Sequence, residues 1–178
     1  PGSYSFAASN TAFNALIAAG GPNQIGSVRQ IYLRRNGKTI DSLDVYKFLF
    51  DPSSTQDLYL QDNDYLYVSQ AKNVVEVLGQ VNRPYTYEVV ASDKLSDVIK
   101  YAGGFTALAY RSGITIDRIA DRSIKTLTVD DLASRNLSLK NGDVVRVNSM
   151  NSIQRDYIHI HTSTGVSGKY ELVNGEKV

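Results

Sequence analysis

The chain has 178 residues, 42% of them hydrophobic and 21% charged, with a net charge of +1, a composition typical of a folded globular protein. A charge so close to zero supplies no field to gather nucleic acid or an acidic membrane surface. The absence of cysteine excludes disulfides and thiolate metal sites, and no apolar run approaches the ~20 residues of a membrane-spanning helix. Residue 1 is proline rather than methionine, so we expect a piece of a longer chain whose targeting segments lie elsewhere.

The chain opens on a turn, Pro1-Gly2-Ser3-Tyr4. Ala12, Ala15, Leu16 and Ala19 then fall at i, i+3, i+4 and i+7, with Phe13 and Ile17 alongside, which predicts one apolar face of a helix. The helix ends at Gly20-Gly21. Ile31-Tyr32-Leu33 reads as a strand and Asn36-Gly37 as a hairpin turn. Asp44 to Phe50 reads as a helical piece stopped by Asp51-Pro52. Leu58-Tyr59-Leu60 then runs into a turn, Gln61-Asp62-Asn63-Asp64.

Beyond Gln70-Ala71-Lys72, the segment Val74 to Val81 is rich in β-branched residues and predicts a strand. Asn82-Arg83-Pro84 turns the chain into a second strand, Tyr85 to Val90. Ser92 and Asp93 are N-cap residue types, and Leu95, Val98, Ile99 and Ala102 repeat the helical spacing up to Gly103-Gly104. Ser112–Ile119 and Ser123–Val129 read as strands, and Asp130–Asn136 as a helical turn. Leu137-Ser138-Leu139 leads to Asn141-Gly142-Asp143 and a last strand, Val144–Val147. The order strand, strand, helix, strand, strand, strand predicts an α+β fold, a mixed sheet with one main helix on one face.

The two halves say nearly the same thing. Ala19-Gly20-Gly21 recurs as Ala102-Gly103-Gly104, and Tyr4 recurs as Tyr87 at the same offset. Leu58 to Asp64 recurs as Leu137 to Asp143 at a slightly shorter one, because the first copy is longer between its two echoes. A near-constant period of this kind predicts an array of one small module, with domains at residues 1–69 and 73–150. The first copy begins where the second has its turn, so it lacks an opening strand. Tyr157–His161 and Gly168–Leu172 match the opening hairpin of a third copy within residues 151–178, since Tyr170 follows Tyr87 at the spacing by which Tyr87 follows Tyr4. We expect this orphan strand to fill, or lie near, the vacancy in the first domain of a neighbouring molecule.

A strand ending in Gly-x-Val (Gly79, Val81), a turn with Pro84 and Tyr87, a helix running into Ala102-Gly103-Gly104 and a late Gly142-Asp143 resemble the SLBB domain, the soluble ligand-binding β-grasp. In the first copy the matching positions are Pro1, Gly2, Tyr4, Ala19-Gly20-Gly21 and Asp64. Tandem copies resemble those of bacterial polysaccharide export proteins. The resemblance implies tandem β-grasp modules; with no cysteine, an isolated histidine pair and motif residues in backbone roles, neither enzymatic activity nor a cofactor is expected. It implies a periplasmic setting, with attachment to the outer membrane through other parts of the chain. It further implies self-association, with exported polysaccharide and the inner-membrane export machinery as further partners. Two other readings stay open: a soluble module for a small ligand such as a sugar or a cobalamin-like molecule, and an accessory domain of a larger redox complex. Tyr85, Asn63 and Thr162 depart from the motif.

Few constellations suggest chemistry. His159 and His161 are the only histidines; their spacing puts both on one strand face, but there is no third histidine and no cysteine, and no metal site is expected. Ala-Gly-Gly follows a helix rather than preceding one, so it is not a phosphate loop. Asp130-Asp131 sits at a helix start, where carboxylates favour the dipole. Tyrosine is abundant, with 12 residues against 5 phenylalanines and no tryptophan, as suits strand surfaces. Arginines lie near the third and fourth strands of each copy, interleaved with tyrosines. Tyr32, Arg34, Tyr110 and Arg118 are therefore the candidates for contact with an acidic sugar.

Overall fold

The computed structural model describes residues 2–5, 10–51, 53, 58–134, 136–150, 157–161 and 167–171, the last two segments as backbone. Pro1, Pro52 and Thr162 lie outside the described residues. The elements are α1 (Ala12–Ala18), β1 (Gly26–Arg35), β2 (Lys38–Leu43), α2 (Val45–Phe50), β3 (Tyr65–Gln70), β4 (Val74–Gly79), β5 (Tyr85–Glu88), α3 (Leu95–Tyr101), β6 (Ala109–Ala120), β7 (Ser123–Val129), α4 (Asp131–Ser134), β8 (Val144–Ser149), β9 (Tyr157–His161) and β10 (Ser167–Glu171). The fold is α+β, as the sequence predicts, and its arrangement is β-grasp-like.

The larger sheet has the order β5-β4-β8-β6-β7. It is mixed: β4 runs parallel to β8, and the other neighbours are antiparallel. Alternation in β4 and β8 and along Ile114–Ile116 of β6 turns Val75, Val77, Ile114, Ile116, Val145 and Val147 to one face, where all are essentially inaccessible. Helix α3 covers that face with Leu95, Val98, Ile99 and Ala102. Each large side chain among them contributes about 1.5–3 kcal/mol by leaving water.

Both ends of α3 follow from local chemistry. At its C-terminus the Gly103 and Gly104 amides donate to the carbonyls of Lys100 and Ile99 at 2.9 and 2.8 Å, and both glycines take positive φ, a hydrogen-bonded stop for a right-handed helix. The N-terminus differs from the sequence expectation. Lys94, not Ser92 or Asp93, is the N-cap; its amide donates to the Asp97 carboxylate at 2.8 Å. The Asp93 carboxylate is held elsewhere, by the Val90 amide and by Arg29.

The other motif residues also hold backbone geometry. Gly79 has φ +85°, and a Cβ there would lie 2.1 Å from the Val147 carbonyl oxygen. Buried Val81 bridges to Phe105. The Tyr87 hydroxyl donates to the Arg83 carbonyl at 2.6 Å, which closes the turn containing Pro84. Gly2 and Tyr4 precede α1 and are exposed.

The smaller sheet has the order β2-β1-β3 and is antiparallel. Ile31 and Leu33 of β1 are buried, and Ile31 packs with Leu16 of α1 and with Leu43. Asn36 and Gly37 form the predicted hairpin turn, both with positive φ.

Several contacts in the smaller sheet and α1 have counterparts in the larger sheet and α3. The Ala12 amide donates to Leu58 as the Leu95 amide does to Leu137. The Gly21 amide donates to Leu16 as the Gly104 amide does to Ile99. Arg35 grips Asp64 with two hydrogen bonds at 2.7 and 2.8 Å, and Arg118 grips Asp143 at 2.9 and 2.6 Å. Each aspartate also closes its own turn, accepting from the Gln61 amide in one case and the Lys140 amide in the other. One difference stands out. Ala102 is wholly buried, because the turn at Asn82 and Arg83 lies over it, whereas Ala19 is exposed.

A polar cluster joins the two sheets. The β1–β3 ladder is interrupted between Gly26 and Ile31, and within that interval Ser27, Val28 and Arg29 bond to groups of the second sheet. Arg29, 4% exposed, donates from Nε to Asp44 at 2.7 Å and from Nη1 to Asp93 at 2.7 Å. Its guanidinium also lies 4.9 Å from the Tyr46 ring and 5.4 Å from the Tyr101 ring. Burial alone would lower its pKa, but Asp93 and Asp44 outweigh that and raise it further. Beside it the Glu88 carboxylate accepts from the Ser27 hydroxyl at 2.7 Å and the Val28 amide at 2.8 Å.

Candidate ligand-binding face

Alternation along β1 buries Ile31 and Leu33 and leaves Tyr32 and Arg34 on the opposite face of the smaller sheet. Tyr67 of β3 lies directly across from Tyr32, and Tyr65 across from Arg34. The Tyr32 and Tyr67 rings stack with centroids 6.4 Å apart and planes inclined by 20°. The Arg34 guanidinium lies over the Tyr67 ring, 4.5 Å from its centroid. Tyr65 and Tyr67 are 65% and 42% exposed. The flat face of the Arg34 guanidinium rests on tyrosine, and among the described residues no hydrogen-bond acceptor holds its N–H edges. This is a surface of aromatic faces and one pre-placed cation, suited to a flat, partly apolar, anionic ligand.

The four sequence candidates do not form one site. Tyr32 and Arg34 share this face. Tyr110 lies on β6 with its ring packed over Gly113, so closely that a Cβ at Gly113 would sit 2.5 Å from Tyr110 Cε1. Arg118 lies on the larger sheet and is engaged there by its own neighbours. Two of its donors are taken by Asp143, and Nη2 also donates to the Ser138 carbonyl at 3.1 Å. The hydrogen bonds to Asp143 raise its pKa. Tyr65 and Tyr67 complete the face and are not among the sequence candidates. Their i, i+2 spacing is visible in the sequence, but their pairing with Tyr32 and Arg34 depends on strand register.

A second concavity of about 520 Å³ opens between α2, the turn at Arg83, and α3. Phe50, Ile99 and Phe105 give it an apolar floor, and Arg83, Lys100 and Asp131 stand around it. Arg83 lies over the Phe50 ring and Arg111 over the Phe105 ring, at 5.8 and 5.1 Å. Among the described residues no helix is long and apolar enough to cross a membrane.

Residues 74–126 match the family model of the SLBB domain. The match spans β4, β5, α3, β6 and the first half of β7, and it supports an SLBB domain in the larger sheet. That family is one of ligand-binding domains rather than enzymes. A search of curated proteins found no match to the chain.

Proposed function

We propose that the chain is a non-enzymatic pair of SLBB modules from a polysaccharide export protein. The modules stand in the periplasm as part of the assembly that passes capsule or exopolysaccharide across the outer membrane. The SLBB match over residues 74–126 supports a ligand-binding module. The repeated geometry of the smaller sheet supports reading it as a second module of the same kind. The observation that carries the choice of ligand is the Tyr32–Tyr67–Arg34 cluster: rings that stack on sugar faces beside a guanidinium that pairs with a sugar carboxylate. The equivalent positions of the larger sheet hold Thr115, Arg146 and Asp117, so the two modules divide their work, and the smaller sheet meets the glycan.

NMR titration with acidic oligosaccharides tests this reading. Shifts centred on Tyr32, Arg34, Tyr65 and Tyr67 are expected, and Arg34→Ala should weaken binding by about 1 kcal/mol or more, in the range of an aromatic-seated cation. Shifts confined to other surfaces would refute it. A second reading, a soluble module for a small ligand, is favoured by the concavity over Phe50 and Phe105, whose size suits such a molecule. Shifts confined to Ile99, Lys100 and Phe105 would select it.

A further inference from the structure

The concavity between α2 and α3 takes its walls from both halves of the molecule. Phe50 comes from α2, whose N-cap Asp44 is tied to β1 through Arg29. Ile99 and Lys100 come from α3, while Arg83 precedes β5 and Phe105 follows α3. The Phe50 ring lies 5.2 Å from the Tyr101 ring, and Tyr101 in turn bonds to Asp93 and lies beside Arg29. The concavity is therefore continuous with the polar cluster that joins the two sheets. At the end of α3 a Cβ on Gly104 would meet nothing within 4 Å, so space remains beside the helix terminus.

The charges around this apolar floor are unequal. The Arg83 guanidinium lies over the Phe50 ring, 5.8 Å from its centroid. Among the described residues no hydrogen-bond acceptor holds the side chains of Arg83 or Lys100. A third cation, Arg111, lies over the Phe105 ring. One carboxylate, Asp131, lines the same space. The other carboxylates near α3 are engaged: Asp97 accepts from the Lys94 amide and Asp93 from Arg29. Free cations beside aromatic rings favour an anion with a flat apolar body. The rings meet its faces or edges, and a guanidinium pairs with a carboxylate through two parallel bonds. A volume of about 520 Å³ lies within the range of small-molecule sites, which concentrate where two structural units meet.

We propose that this concavity binds a small aromatic carboxylate, with its ring against Phe50, Ile99 and Phe105 and its carboxylate met by Arg83 and Lys100. The proposal rests on the small-ligand reading of the concavity and is separate from the glycan face at Tyr32. The bound anion touches α2 and α3 at once, so it ties the smaller sheet to the larger and stabilises the folded state that holds them together.

Naphthoate and its uncharged counterpart naphthamide, titrated separately into the unmodified chain and followed by NMR, test both the place and the ligand class. Naphthoate should shift Phe50, Ile99 and Phe105 together, with a Kd of about 1 mM, as expected for an organic anion of this size. Naphthamide should bind there about fivefold or more weakly, since it lacks the ion pair. Arg83→Gln should bring naphthoate close to naphthamide and leave naphthamide unchanged, a pattern that simple damage to the fold would not produce. Equal affinity for the two probes at these residues would overturn the anion assignment and leave the small-ligand reading standing. No shift there with either probe at about tenfold above that Kd would overturn both. Shifts at Ile99 and Phe105 that leave Phe50 unmoved would refute the bridge between the sheets. Naphthoate shifts centred on Tyr32, Arg34 and Tyr67 that survive Arg83→Gln would refute the site.

Discussion

Arg29 of the smaller sheet and Asp93 of the larger are joined by a hydrogen bond of 2.7 Å, with the Arg29 side chain 1% exposed and that of Asp93 7%. Arg29 lies opposite three carboxylates, Asp44, Asp93 and Glu88, and Glu88 is satisfied by Ser27 and Val28 instead. Loss of the guanidinium would therefore leave Asp44 and Asp93 without their cation. Arg29→Ala is expected to cost about 3–5 kcal/mol, as when one partner of a buried pair is removed. Denaturant unfolding should show the loss, and it should split a single transition into two as the sheets lose their contact. A cost below about 1 kcal/mol, the level of a surface pair, would mean that the cluster does not hold the sheets together.

Arg35 holds Asp64 as Arg118 holds Asp143, and the first pair has a measurable pH signature. The hydrogen bond from Arg35 lowers the Asp64 pKa below its ordinary value of 3.8. A lowered carboxylate pKa contributes stability that is present above the unfolded value and lost as pH falls through the folded one. The smaller sheet should therefore be unaffected near neutrality and weaken below about pH 4. Carboxyl titration by NMR should place Asp64 below the exposed aspartates. Asp64→Asn should lower stability at neutral pH and flatten the acid limb; an unchanged acid limb would show that this pair does not govern it.

The helices and the second sheet are legible in the sequence because their signals are local. Leu95, Val98, Ile99 and Ala102 mark a helix face by spacing alone, and Asn36-Gly37 marks a hairpin by turn chemistry. The α3 N-cap is not legible, since Asp93 has the right residue type but is drawn away by Arg29, 64 residues distant. Arg34 and Arg118 illustrate the same limit. Both are strand arginines near tyrosines in sequence, yet one rests on Tyr67 and the other is locked to Asp143. In sequence the late Asp143 reads as a turn residue. That it also anchors an arginine depends on strand pairing, which periodicity does not encode.

Two glycines with nearly the same φ should tolerate alanine very differently. Gly79 and Gly104 have φ of +85° and +83°. A Cβ at Gly104 meets nothing within 4 Å, whereas at Gly79 it would lie 2.1 Å from the Val147 oxygen. Gly104→Ala should cost only the left-handed backbone penalty, about 1–2 kcal/mol. Gly79→Ala adds a backbone clash that β4 and β8 relieve only by separating, so it should abolish cooperative thermal unfolding or nearly so. Similar melting temperatures for the two variants would contradict this account of the β4–β8 contact.

Tyr101 gives the sheet junction an alkaline limit. Its hydroxyl donates to Asp93 at 3.3 Å, and its ring packs with Tyr46 and beside Arg29. Burial, the largest cause, pushes its pKa up from 10.0 to about 12, against an opposing pull from Arg29. A raised pKa on a group that is neutral when protonated favours the folded state below the unfolded value, and that contribution is lost as pH rises through the folded one. Stability should therefore hold up to about pH 10 and decline toward pH 12. Tyr101→Phe removes one hydrogen bond, at about 0.5–1.5 kcal/mol, and also removes the titrating group. Its stability curve should lie below that of the unmodified chain at neutral pH and converge with it above pH 10. Difference absorbance between the two proteins should place the Tyr101 phenolate transition well above that of exposed tyrosines. A transition near the ordinary value would mean that the hydroxyl is not enclosed between the sheets.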